Sequence, residues 1–279
     1  MKIIFSRKGF DSSAGGIPSP IMPDGTMFSL PIPRPSRTAY QDLAVEGHSL
    51  GKVVEDLSKG RIRRSDTCHL DPDLREDMLP RMRGWRPVFG QRGAPARHLS
   101  RHGISPGDIF LFFGWFRRVE VEYGSYRYVP GAPHLHVLFG WLQVGEVYRQ
   151  QDMPPPWARY HPHFQETSGV DNVVFISSQV LHLGRHSTGL PGAGFFRRYD
   201  QRLCLSAQGC ARSYWSLPAW LYPAQGREAL SFHGNRSRWS LQGDRVILRT
   251  AARGQEFVLD AGQYPEVLPW ITTLIKAAG

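Results

Sequence analysis

Residues 109–113 (IFLFF) are apolar at every position, so a strand here presents apolar side chains on both faces. Such a strand has to be covered on both sides, which rules out a sheet with one wet face at this point. Gly107-Asp108 opens it as a turn. A second long stretch, residues 134–147 (HLHVLFGWLQVGEV), reads as a strand with Gly140 at a bulge or close crossing. Further strands are expected at the opening Ile3-Ile4-Phe5 and over residues 119–129, 172–181, 202–206, 245–250 and 256–260. Helical periodicity is rare. It occurs at residues 49–59, with Leu50, Val53, Val54 and Leu57 on one stripe, at 94–102, and over the last fifteen residues behind Pro265. No internal repeat or linker interrupts the chain. The expectation is one α+β domain over residues 1–279. It would be a strand-rich mixed sheet or a small partly open barrel, with a few helices and a C-terminal helix packed on it.

Composition narrows the partners. The formal net charge is +10 and the sequence pI near 9.8, which favours a polyanion such as DNA or a nucleotide. Residues 61–101 carry ten arginines against five acids, with Trp85 and Phe89 among them, and residues 195–220 form a second basic, aromatic stretch. Three cysteines, Cys68, Cys204 and Cys210, cannot all pair, and none lies in a C-x-x-C, which argues against a disulfide framework and a thiolate zinc site. No signal-like opening and no membrane-length apolar run are present, so a cytoplasmic protein without a membrane role is expected.

The opening MKIIFSRKGFDSSAGG follows a short strand with turn formers and then with prolines at 18, 20, 23 and 31. Arg7, Asp11, Ser12 and Ser13 are placed there to meet a nucleotide, since Gly15 and Gly16 permit close backbone approach. The segments KIIFSRKGFDSSAGG, PDGTMFSLPIP, HLDPDL, FGQ, GDIFLFFGWF and HPHF together resemble the nucleotide modification associated domain, third type. That resemblance implies a part in modifying nucleotides or DNA bases, alongside other proteins of such a pathway, and it carries no catalytic residue by name. More locally, residues 107–116 and 136–147 resemble the central hairpin of PUA-like domains (EVE, ASCH and YTH), which bind RNA or modified bases.

Two functions follow. An enzyme would use His69, Asp71, Asp73 and His163 for proton transfer, because carboxylates held close separate their pKa values. Gln91 would join the loop residues in binding. A divalent metal would find ligands in the two His-x-His pairs, His134 with His136 and His161 with His163, which share a strand face if extended. A reader would instead grip a modified base between aromatics such as Trp115 and Trp141.

Overall fold

A computed structural model describes residues 1–165, 171–184, 186–224, 226–252 and 254–276. The architecture is α+β and is built on one mixed sheet. Its strands are β1 (Lys2–Arg7), β2 (Ser19–Ile21), β3 (Val88–Arg92), β4 (Ile109–Glu122), β5 (Ser125–Tyr128), β6 (Leu135–Arg149), β7 (Asn172–Ser177), β8 (Ala193–Phe195) and, near the end of the chain, Glu256–Asp260. A separate three-stranded sheet is made by β9 (Tyr214–Pro218), β10 (Trp239–Gln242) and β11 (Arg245–Arg249), so the last strand of the large sheet is β12. The large sheet runs β12-β1-β4-β6-β7-β3. Strand β1 lies parallel to β4 and antiparallel to β12.

Burial on both faces of residues 109–113 is met in full. Phe110 and Phe112 turn to one side, against Phe89 at centroid distances of 4.9 and 5.1 Å. Phe113 turns to the other, onto Trp215 at 4.8 Å and nearly perpendicular to it. The three-stranded sheet and the C-terminal helix cover that second side, where Phe5 meets both Trp215 and Trp270. Phe89 belongs to an edge strand, yet its ring touches the central strand, so the sheet curls strongly. It does not close: no backbone ladder joins β3 to β12 among the described residues.

Four helices complete the described chain: α1 (Leu50–Leu57), α2 (Gly93–Arg101), α3 (Pro162–Gln165) and α4 (Val267–Lys276). Helix α1 starts at Ser49, whose hydroxyl accepts the Lys52 N–H, and buries Leu50, Val53, Val54 and Leu57 as its periodicity requires. Helix α4 buries Val267, Ile271, Leu274 and Ile275; residues 277–279 of the expected helix lie outside the described residues. No described helix is long and apolar enough to cross a membrane.

Three local expectations are corrected. Residues 202–206 form a 3-10 turn (Gln201–Leu203) and single bridges rather than a strand. Residues 119–129 are the end of β4 and the hairpin strand β5, folded at Tyr123-Gly124. His161-Pro162-His163 is not extended, because Pro162 begins α3, where its missing N–H leaves no bond unmade. Gly140 does sit at a register shift of β6 against β4.

Phe89 links edge strand to central strand, so Phe89→Ala should cost about 3–5 kcal/mol. Chemical denaturation measures it; a loss below about 1 kcal/mol would mean that the curl does not depend on this ring.

Candidate functional site

Two clefts adjoin along the loop that follows β1, and Arg7, Asp11 and Ser13 line both. The loop is held by its own chemistry. Asp11 accepts the N–H groups of Ser13 and Ala14 and the Ser13 hydroxyl at 2.7–2.8 Å, which commits its carboxylate to shaping the turn. Gly15, at φ +83°, lies on the Phe10 ring, where a Cβ would stand 2.3 Å from it.

The first cleft, about 470 Å³, brings together Arg7, Lys8, Asp11, Ser13, His69, Asp71, Gln91 and His163. Asp71 is its floor. Its Oδ1 accepts the Gly90 N–H at 2.7 Å. The Nε2 of His161 stands 3.4 Å from the same oxygen, without hydrogen-bond alignment, and the Nε2 of His163 stands 3.6 Å from Oδ2. Burial alone would raise the Asp71 carboxyl, but the His161 and His163 rings outweigh it and hold the group well below the usual carboxylate range. Burial pushes His69 down to about 3, against the pull of Asp71, so its imidazole is neutral near pH 7. The His69 and His163 rings meet edge to face at 5.0 Å. Gly90 is required here, since a Cβ on it would fall 2.2 Å from the His163 ring.

Beside the floor runs a buried polar chain. Lys8 Nζ is 2.9 Å from Glu256 Oε1, and the Gln91 amide donates to the same oxygen at 2.6 Å. Glu256 Oε2 has no partner among the described residues.

The second cleft, about 640 Å³, is cationic, with Arg7, Arg212, Arg238 and Arg249 in its lining against Asp11. Arg212 lies over the Trp115 ring at 4.2 Å and donates to the Ser12 hydroxyl at 2.8 Å. Burial and then the Arg7 charge lower the Arg212 pKa, against the opposing pull of Asp11. His136 reaches this cleft, buried and pushed down to about 3, with its Nδ1 accepting the Trp215 N–H.

The remaining residues are placed differently from expectation. Asp73 does not pair with Asp71: it is fully buried, gripped bidentately by Arg81 at 2.7 Å, and accepts the Tyr160 hydroxyl at 2.5 Å. His134 is exposed, with Nδ1 accepting the Trp115 N–H, so the two histidine pairs do not form one ligand set. The donors that cluster among the described residues are His69, Asp71 and His163, within 4.8 Å of one another. Trp141 is buried on Gly194 and Phe196, with its N–H given to Pro191, and lines neither cleft. Among the described residues, the arginines at 64, 75, 81, 86 and 97 of the run 61–101 are tied to acids.

The segments that shape both clefts match a family model, nucleotide modification associated domain 3, over residues 2–260. The chain belongs to this family. Membership places it in the setting of nucleotide modification. No curated protein and no solved structure matches it.

Breaking the buried Asp73–Arg81 pair leaves an uncompensated cation, so Asp73→Ala should destabilise the fold by about 3–5 kcal/mol in denaturant melts. Gly90→Ala should instead act on the cleft. It should move the His163 ring resonances in NMR while the sheet persists, and an unshifted His163 would refute the packing described.

Proposed function

We propose that the protein is an enzyme of nucleotide or DNA-base modification that holds its substrate across both clefts. The arginine-lined cleft takes phosphate, and the neighbouring cleft presents the base or its reacting group to Asp71, His69, His163 and Gln91. The observation that carries this reading is the shared wall: Arg7, Asp11 and Ser13 face both spaces, so one ligand can occupy the two. Arginine's planar fork suits phosphate oxygens, and Arg212 is presented ready-stacked on Trp115.

Catalysis is favoured over reading by the placement of the acid. A solvated Asp-Pro-Asp turn would serve no chemistry, whereas Asp71 is buried, faces a cleft and lies among three imidazoles. An ionised carboxylate kept from water is costly, and such groups concentrate where they are used. With its anionic form held among neighbouring imidazoles, Asp71 can accept a hydrogen bond from a substrate N–H or O–H and orient that group in the cleft. A reader gripping its base between Trp115 and Trp141 would need both rings at one surface, and Trp141 is in the core.

Two measurements test the reading. Arg212→Gln should weaken binding of a short DNA duplex and lower the slope of log K against log salt by about 1. A salt slope unchanged by Arg212→Gln would remove phosphate from the second cleft. Asp71→Asn should abolish modification in a reconstituted pathway while DNA affinity stays intact. Full modification by that variant would leave the reader as the standing function.

A further inference from the structure

The hydrogen bonds around His163 fix which of its nitrogens carries a proton. Asn172 donates its Nδ2 to the His163 carbonyl at 2.7 Å, so its other end, Oδ1, is the atom that meets His163 Nδ1 at 2.8 Å. An amide oxygen only accepts, and Nδ1 is therefore the N–H. Nε2 is thereby left for the other side of the ring, where it stands 3.6 Å from Asp71 Oδ2 without a hydrogen bond to it.

His161 repeats the problem on the other side of the carboxylate. Its ring is fully enclosed, neither nitrogen has a hydrogen-bond partner among the described residues, and Nε2 lies 3.4 Å from Asp71 Oδ1. Buried polar atoms without partners are expensive, and two orphaned nitrogens beside an anion mark a place where positive charge belongs.

We propose that His69, Asp71 and His163 bind a divalent first-row cation of the zinc, manganese or iron class at the floor of the cleft. The donor set is right in kind, two imidazoles and a carboxylate, which suits these ions and not calcium or magnesium. It is right in size, because the three donor atoms lie within 4.8 Å of one another and need close in by only a fraction of that to reach a common ion at about 2.0–2.2 Å. The outer shell is in place as well: Asn172 orients His163, and the Gly90 N–H holds Asp71. Three protein ligands leave coordination positions open, and the residues that supply them all line the cleft. Those positions face the substrate on the functional reading given above, whereas the cation site itself stands on the donor geometry alone.

The test uses the full chain, stripped with a chelator and titrated with Co²⁺ and Zn²⁺. One equivalent of Co²⁺ should bind with visible d–d absorption, and Zn²⁺ should displace it. His69→Ala and Asp71→Asn should each weaken Zn²⁺ by more than about 100-fold, and Asn172→Ala, which removes an orienting group only, by about 10–100-fold. His134→Ala should leave Zn²⁺ affinity unchanged. Binding of neither Co²⁺ nor Zn²⁺ by the native protein would overturn the site, as would binding that survives both ligand variants. Should those variants fail to fold, histidine ¹⁵N spectra of the native protein decide. Zn²⁺ must move the His69 and His163 ring signals, and an unmoved His163, or one protonated at Nε2 to face Asp71 as an imidazolium, overturns the assignment. Duplex affinity measured in metal-free buffer reads the phosphate cleft separately, so the two proposals fail independently.

Discussion

The contact between Gln91, Glu256 and Lys8 joins the two ends of the curled sheet. Gln91 lies on β3 and Glu256 on β12, the opposite edges of the strand order, and one glutamate oxygen receives both the amide and the ammonium. A backbone ladder between these edges would have closed a barrel and filled the space beside them. A side-chain bridge fastens the edges and leaves a gap in their backbones, and α2 packs across β3 and β12 at that seam. The first cleft opens along it. The Lys8–Glu256 pair is nearly removed from solvent, so its benefit depends on every polar atom near it being satisfied. Glu256 Oε2 and Ser6 Oγ are without hydrogen-bond partners among the described residues.

Much of the fold was legible because its signals are local. The run at residues 109–113 required cover on both faces and received it from Phe89 on one side and Trp215 on the other. The stripes of α1 and α4 and the irregularity at Gly140 were equally direct. What misled were sequences whose conformation is set from outside. His161-Pro162-His163 has the alternation of a strand, but a proline at the first turn of a helix satisfies the backbone just as well.

The site was legible as segments and illegible as geometry. His69 and Asp71, Gln91, His163, Arg7 and the Asp11–Ser13 turn come from four distant stretches and line one space. Their chemical types announced an acid–base or ligand function, but the partner of each carboxylate did not follow from spacing. Asp71 and Asp73 are two residues apart and look equivalent; one faces histidines and the other is taken up by Arg81. The arginine run at 61–101 looked like a phosphate surface until acids inside it, such as Asp73 and Asp77, and acids outside it, Glu55, Glu146 and Asp171, proved to pair with part of it. Arg212, Asn172 and Glu256 were not singled out as site residues for the same reason: each gains its meaning from residues distant in the chain or on another element.

Strand β1 has a consequence for how the molecule comes into being. Its backbone partners begin at residue 109 on one side and at residue 256 on the other. Contacts so far apart in sequence form slowly, because a long loop must close before any of them rewards it. During synthesis Lys8 stays without its counter-charge until residue 256 has emerged from the ribosome. The first cleft is thus a late product of folding, because Lys8 in its lining meets Glu256 only then.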